Sequence, residues 1–510
     1  MLGRILSVGG WTLVSRATGF ARDIVMAAIL GAGPLADAFV VAFRLPNHFR
    51  AIFAEGAFNA AFIPTYARMR EQAGDLAARL FADRVLFLVL AVQVALLGVA
   101  LAAMPTLVGL LAPGLPPATF ELAVALTRIT FPYLLFITLV TLVSALLNAH
   151  DRFWAAAAAP VLLNLSMIAA LALTFLFPSA GHAAAWGVAA AGLLELALVW
   201  GNAAKAGLAP KPALPRRGGG LGRFFRLLGP AVLGSAGIQV AMFADTIIAS
   251  TLPTGALSAL YYAERLYQLP LGVVGIAAGT VLLPEMSRRL AAGDAAGAHA
   301  AQNRAIGLTL ALAAPCAVAF LILPDLILSA LFRRGAFDDA AVARSAAVLA
   351  AYAVGLPAAV ILRSVTASFY SRQDTATPLW ASFTGYGVNI ALKLVLTAPF
   401  GVVGLALATS AGIWTNLVII GWLAGRKRFA APSAALGKTL AAVAIGCGLV
   451  AALAWLGRAP VADAARAAGP FADLASLAAL GAAGLVLYGA TLAGLLRLFG
   501  VRLGRRAPPA

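Results

Sequence analysis

Residues 85–111 read VLFLVLAVQVALLGVALAAMPTLVGLL, an unbroken stretch without Asp, Glu, Lys or Arg. The hydrocarbon core of a bilayer is about 30 Å thick, and a helix needs roughly 20 apolar residues to cross it. This stretch is long enough and contains nothing that demands water. Working outward, comparable runs lie near 5–30, 35–62, 124–148, 155–177, 183–204, 226–251, 257–285, 305–332, 342–370, 376–399, 402–425, 436–457 and 471–499. Short polar or Gly/Pro-marked breaks separate them. Together they predict an all-α polytopic membrane protein with about fourteen transmembrane helices.

Composition agrees, since 62% of the 510 residues are hydrophobic and only 11% are charged. An ordinary globular domain carries about 25% charged residues. The first apolar segment contains Arg16, Arg22 and Asp23 and lacks a small-residue cleavage pattern, so the reading keeps it as part of the protein. The net charge of +18 is sorted by membrane side. With the N-terminus inside, the inner loops and tails hold 24 Lys or Arg, and the outer loops hold Arg333, Arg334, Arg458 and Arg466. The positive-inside rule therefore predicts both termini on the cytoplasmic face, beside anionic lipid heads. Nucleic acid is not needed to explain the charge.

Residues some 220 positions apart repeat. Arg44-Leu45-Pro46 resembles Gln268-Leu269-Pro270, Ala73-Gly74-Asp75 matches Ala292-Gly293-Asp294, and Pro64, Gly114, Pro132 and Gly187 correspond to Pro284, Gly335, Pro357 and Gly404. Six spans separate the copies, so both have the same orientation, as in parallel transporter repeats. The expectation is an N-lobe over 1–204, a flexible cytoplasmic linker over 205–226 with three prolines and a glycine run, a C-lobe over 227–425, and two added helices with a basic tail over 426–510. A cavity between the six-helix lobes is expected. Residues 66–84 read as an amphipathic helix on the inner surface, with Met69, Leu76, Leu80 and Phe81 opposite Arg68 and Arg79.

Ionisable groups at membrane depth carry the functional signal, because each costs about 2.5 to 3.5 kcal/mol at the centre of an isolated helix. Arg16, Arg22, Asp23, Asp37, Arg44, Arg50 and Glu55 cluster in the first two spans, and Asp245, Glu264 and Arg265 in the seventh and eighth. These are corresponding pairs under the repeat, which predicts a cationic lining. A single arginine near a helix end commonly snorkels to the interface, but the cluster makes a cavity role the better reading for Arg16, Arg22, Arg50 and Arg265. Glu195 and Arg363 stand alone in their spans and read as structural pairs. Several guanidiniums around water suit a phosphate-bearing anion, whose oxygens accept the planar fork. In the second lobe Asn389 and Lys393 share a helix face. Asp245, Asn389 and Thr409 would offer oxygen ligands to a small cation. Lys393 would then act as a tethered cation in its place, unless it snorkels away.

Catalysis is not indicated. Gly437-Lys438-Thr439 ends like a phosphate-binding loop, but Pro432 stands where its first glycine belongs. The histidines His48, His150, His182 and His299 are too dispersed for a metal site, and Cys316 and Cys447 fall singly inside apolar spans. No cofactor is expected.

The runs Ser15-Arg16-Ala17-Thr18-Gly19-Phe20-Ala21-Arg22-Asp23, Ala36-Asp37-Ala38-Phe39, Leu45-Pro46-Asn47 and Phe53-Ala54-Glu55-Gly56-Ala57-Phe58 closely resemble the MurJ/MviN family of lipid II flippases. Tyr261-Tyr262-Ala263-Glu264-Arg265-Leu266, Leu331-Phe332-Arg333-Arg334-Gly335-Ala336-Phe337 and Asp374-Thr375-Ala376-Thr377-Pro378 agree with it. The resemblance implies a fourteen-helix member of the multidrug/oligosaccharidyl-lipid/polysaccharide exporter superfamily in the bacterial inner membrane. Its substrate would be an undecaprenyl-pyrophosphate-linked peptidoglycan precursor, flipped outward by alternating access. By matching position Arg22, Arg50 and Arg265 would hold the pyrophosphate, with Arg16, Asp37, Asn47 and Glu264 as further cavity residues and the last two spans as a groove for the lipid tail. Partners would be lipid II, membrane lipids and cell-wall synthesis or division proteins. Many relatives have a glutamate where this chain has Gln268, and some place an acidic residue where it has Lys393. Another exporter of the superfamily, for drugs or other lipid-linked oligosaccharides, and a non-transporting envelope scaffold are the competing readings. A cationic-drug cavity should be acidic, and a scaffold needs no cavity charges.

Overall fold

Inside hydrocarbon every backbone N–H and C=O must find its partner within the protein, which leaves helices as the default for a chain this apolar. The computed structural model of the chain is all-helical. It describes residues 2–53, 56–216, 220–277 and 281–501, with the side chains of these except at 2–8, 51–53, 56–57, 233–238, 240–241 and 273–277. Glu55, Arg217, Gly218, Gly219, the side chain of Arg4 and the tail from 502 lie outside the described residues. Among the described residues eight helical stretches are long and apolar enough to cross a membrane: Phe58–Ala102, Pro117–Ala149, Trp154–Ala172, Ala180–Lys205, Ala295–Ile322, Asp339–Tyr370, Ala376–Arg426 and Ala434–Leu498.

Two compact units divide the chain, one of Met1–Ser258 with Arg334–Asp338, the other of Ala259–Arg333 with Asp339–Ala510. The first contains α1 (Leu2–Leu30), α2 (Pro34–Phe53), α3 (Gly56–Ala102), α4 (Met104–Leu111), α5 (Pro117–Thr130), α6 (Tyr133–Ala149), α7 (Trp154–Ala172), α8 (Ala180–Lys205), α9 (Leu221–Ser250) and the first turn of α10 (Ala256–Ala277). Within it α7 lies between α1 and α8, and α8 also packs on α6 and α5. Small residues on α8, Ala183, Ala184, Ala185, Gly187 and Ala191, are buried and let its backbone approach its neighbours.

Several expected runs are interrupted. The stretch read as 85–111 breaks at Ala103, just before Pro105, and the one read as 124–148 starts at Pro117 and breaks at Phe131–Pro132. Proline cannot donate to the preceding turn and its ring crowds the chain before it, so helices stop at these points. The proposed surface helix over 66–84 is divided by Gly74, at φ 82°. Phe81 is buried in the protein, while Leu76 and Leu80 are exposed. The linker is pinned along its described part. The Asp83 carboxylate accepts from the Lys211 N–H (2.8 Å) and the Asp83 carbonyl from the Ala213 N–H (3.2 Å).

The second unit continues α10 and adds α11 (Leu283–Ala291), α12 (Ala295–Ile322), α13 (Pro324–Phe332), α14 (Asp339–Tyr370), α15 (Ala376–Arg426), α16 (Ala434–Ala465) and α17 (Ala472–Leu498). The run read as 305–332 is split before Pro324 into α12 and α13. α15 folds back on itself at Gly401, whose φ of 54° is open to glycine. Its two arms meet at small residues: a Cβ on Gly385 would lie 2.9 Å from the Asn416 Cβ, and one on Gly412 would lie 2.7 Å from the Asn389 Cβ. Arg333 pairs with Asp473 (2.9 Å) and Asp339 (3.1 Å), and Arg458 pairs with Asp325. Arg333, Arg458 and Arg466, all expected outside, are thus held by carboxylates, Arg466 by Asp463 at 2.7 Å.

The pentapeptide 334–338 belongs to the first unit because it docks on the end of α1. The Ala336 N–H donates to the Ala28 carbonyl (2.8 Å), and Gly335, at φ 56°, would place a Cβ 2.2 Å from that same oxygen. Replacing Gly335 by Ala combines left-handed strain with a backbone clash, each strained residue costing on the order of 1–3 kcal/mol. Gly335→Ala is therefore expected to lower the thermal unfolding midpoint of the purified protein in detergent, whereas Gly98→Ala, with open space around it, should leave the midpoint unchanged or raise it slightly.

Candidate functional site

In the first unit, Arg22 is only 6% exposed, so it does not stand in open water as the cationic-cavity reading expected. Its Nη2 and Nε donate to the Asp23 carboxylate (2.7 and 3.1 Å), its Nη1 to the Asn164 Oδ1 on α7 (3.1 Å), and its guanidinium lies 5.6 Å from the centre of the Phe43 ring. Asn164 is turned to receive it, because its own Nδ2 donates to the Ser15 carbonyl and the Thr18 hydroxyl. Arg16, one and a half turns earlier on α1, is exposed.

On α2, Asn47 anchors to the Phe43 carbonyl (2.8 Å) and accepts from the Arg50 Nε (3.3 Å), while Arg44 donates to the Thr246 hydroxyl on α9 (3.1 Å). Arg50 and Asn47 are half-buried. Glu195, read from the sequence as a lone charge, sits 1% exposed on α8, where it accepts from the Tyr133 hydroxyl of α6 (3.3 Å) and interacts electrostatically with Arg50. Asp37 plays a capping part. Its carboxylate accepts from the Gly255 N–H (2.6 Å), the Ser258 N–H (2.9 Å) and the Ser258 hydroxyl (2.8 Å), filling donors that the first turn of α10 leaves open. Asp245 is half-buried on α9, next to Thr246.

In the second unit, Glu264 and Arg265 are half-buried on α10, and Gln268 holds both. Its Nε2 donates to Glu264 (2.8 Å), its Oε1 accepts from the Arg265 Nη1 (3.4 Å), and Arg265 lies 4.7 Å from the centre of the Tyr261 ring. Lys393 is 0% exposed. It does not snorkel. Asn389, one turn earlier on α15, is buried against Gly412, and Thr409 lies three residues before Gly412 on the returning arm. Among the described residues no group of three or more His, Cys, Asp or Glu is placed to hold a metal ion. Asn164 and Tyr133 are the site partners that the sequence reading passed over, whereas Gln268 entered it only through the repeat and the likeness to relatives. Asn164 had a signal, a single amide in an otherwise apolar span.

A family model described as lipid II flippase MurJ matches residues 26–464. A probable lipid II flippase MurJ of Rhizobium meliloti is 39% identical over 427 residues, covering 82% of this chain and 80% of that protein. The lipid II flippase MurJ of Burkholderia cenocepacia is 34% identical over 437 residues, covering 83% of each. Among solved structures, a lipid II flippase MurJ in an inward closed conformation superposes with a TM-score of 0.80 at 22% identity over 96% of this chain and 99% of that one. An inward-facing multidrug transporter of the MATE family gives 0.69 at 18% identity over 83% and 96%. At these identities the two structures establish the fold.

The Asp374–Thr377 motif, between α14 and α15, proves to be a helix cap. Asp374 accepts from the Thr377 N–H (3.0 Å) and hydroxyl (2.8 Å) and pairs with Lys427 (2.8 Å). The Lys427 ammonium first, and then the Thr377 N–H, hold the Asp374 carboxyl down at about 2. A folded value below the unfolded one, near 3.9, means the stabilisation is complete above about pH 4 and is lost as pH falls toward 2. Asp374→Asn should cost about 0.5–1 kcal/mol at neutral pH, the scale of a partly exposed pair. Thermal unfolding across pH should show the gap between variant and wild type closing below about pH 4.

Proposed function

Because the chain belongs to the lipid II flippase MurJ family, we propose that it carries lipid II from the inner to the outer leaflet of the bacterial cytoplasmic membrane by alternating access. The family is one of lipid transporters, not enzymes, and the chain is a multi-pass membrane protein. The observation that carries the reading is the family match over residues 26–464, supported by relatives of that name at 39% and 34% identity. In this proposal fourteen crossings place both termini in the cytoplasm. The repeat divides them into lobes over 1–204 and 227–425, joined by the linker 205–226, with 426–510 supplying a groove for the polyprenyl tail.

The pyrophosphate is the part of the substrate that cannot enter lipid unaided, and guanidiniums answer it with paired donors. Arg16, Arg22, Arg50 and Arg265 are the proposed headgroup ligands, with Asp37, Asn47 and Glu264 as further cavity residues. For Arg50 and Arg265, amide side chains already hold the guanidinium in place, which favours pre-organised binding. Asp245, Asn389, Lys393 and Thr409 form the proposed coupling set. The buried ammonium of Lys393 takes the place of a mobile cation there, so transport needs no sodium.

Lipid II flipping in proteoliposomes at fixed membrane potential tests both parts. Arg50→Ala and Arg265→Ala should each lower the rate by about tenfold or more, equivalent to ~1.4 kcal/mol. The Lys variants should recover little of it, since they keep the charge and lose the fork. Flipping at the wild-type rate by both Ala variants overturns the headgroup assignment. Replacing sodium by choline should leave the wild-type rate unchanged. A drop of about tenfold on that exchange refutes the Lys393 assignment and leaves the arginines untouched.

A further inference from the structure

Asn47 and Arg50 follow Pro46 within about one turn of α2, and a proline inside a helix has no N–H for the carbonyl four residues back. That carbonyl belongs to Ala42, which is fully buried, where bulk water cannot take the missing donor's place. Another helix supplies it. The hydroxyl of Thr130, the last residue of α5 and itself fully buried, donates to the Ala42 carbonyl at 2.7 Å. The Thr127 carbonyl of its own helix lies farther away, at 3.3 Å, so the single proton is better used on α2. Prolines are tolerated inside hydrocarbon where neighbouring side chains make such repairs. Tyr488 of α17 makes one on α12, donating at 2.8 Å to the Ala311 carbonyl, four residues before Pro315. At Pro46 the end of α5 holds α2 on both sides of the proline. Thr130 acts before it, at Ala42, and the next residue, Phe131, meets the Phe49 ring edge-on after it, at 6.0 Å between centres. From this turn the links run on to a guanidinium. The Asn47 Nδ2 donates to the Phe43 carbonyl, one residue after Ala42 (2.8 Å), and the Asn47 Oδ1 accepts from the Arg50 Nε (3.3 Å).

We propose that Thr130 is a positioning residue for headgroup capture: through the Ala42 carbonyl it holds the Pro46 turn in the shape that presents the Asn47–Arg50 pair, an inference that rests on the lipid II reading above. Without the hydroxyl, the Ala42 carbonyl is left unsatisfied in an apolar setting, and the turn regains a partner only by changing shape. Such a change moves the Phe43 carbonyl on which Asn47 is anchored, and Asn47 moves the guanidinium with it. Whatever else Arg50 touches, its stem leaves α2 about one turn after that proline. Direction matters for this group because the planar fork gives phosphate oxygens two parallel bonds only when it is aligned with them.

The test is lipid II binding to the full-length protein in detergent, with a double-substitution cycle on Thr130 and Arg50. Thr130→Val keeps the side chain's shape and loses the hydroxyl, and it should weaken binding by about tenfold, or ~1.4 kcal/mol. Thr130→Ser keeps the hydroxyl and should bind as wild type does. In an Arg50→Ala background Thr130→Val should weaken binding no further, because the group it positions is gone. The thermal unfolding midpoint supplies the contrast. There Thr130→Val should lower both backgrounds by the same amount, since the Ala42 carbonyl is left unsatisfied in each. Should Thr130→Val not reach the membrane, Phe131→Leu, which keeps apolar bulk and loses the edge-on contact with Phe49, takes its place in the cycle with the same expected sign. Wild-type affinity in the position-130 or position-131 variant, or a loss that repeats in full in the Arg50→Ala background, overturns the inference. Arg50→Ala that binds as tightly as wild type, or wild-type protein that does not bind lipid II, overturns the headgroup assignment itself.

Discussion

A charge inside hydrocarbon is tolerated only with a partner, and that requirement organises the described polar groups of this chain. Backbone amides meet the same demand by forming helices, which is why an apolar sequence of this length becomes helical. Side chains have no such default. Arg22 needs Asp23 and Asn164, Asn164 needs Thr18 and the Ser15 carbonyl, and Glu195 needs Tyr133. The partners on other helices, Asn164 for Arg22 and Tyr133 for Glu195, fix the register of one helix against another, so the polar groups specify how the apolar surfaces meet. Apolar contacts alone would specify less, since lipid tails are as apolar as leucine.

The same requirement is met by different kinds of partner at different charges. Arg333, Arg458 and Arg466 are bound to carboxylates at helix ends, where ion pairs with partial exposure contribute little and bind no ligand. Asp37 is committed to the start of α10 by three donated hydrogen bonds. Arg50 and Arg265 differ in that an amide oxygen fixes each one's direction. An amide acceptor orients a guanidinium without supplying a countercharge through that bond.

Much of this was legible in the sequence, for reasons that can be named. The membrane class followed from runs such as 85–111, because the bilayer imposes a length that composition alone reveals. The fold-back at Gly401 was readable as the break between 399 and 402, where proline and glycine stand together. Prolines at 105, 132 and 324 were visible too, yet their effect on three expected spans was missed, because proline is tolerated elsewhere in these helices, as at Pro46, Pro270 and Pro357. What decides is whether neighbouring groups re-satisfy the freed carbonyls, and that is a tertiary property. Pairings across the chain were illegible for the same reason. Arg22 meets Asn164 across 142 residues and Asp37 meets Ser258 across 221, and no local period encodes either.

Lys393 shows how far a single residue type can carry an argument before structure is needed. Its sequence position allowed two outcomes, an ammonium that stretches to the interface or one that stays among the helices. A lysine stem reaches several ångströms, so the first outcome is the cheaper one wherever a path to water exists. Complete burial therefore means that packing holds the side chain where its own flexibility would not keep it. A fixed ammonium differs from a bound metal cation in one respect that matters for a transporter: it cannot dissociate.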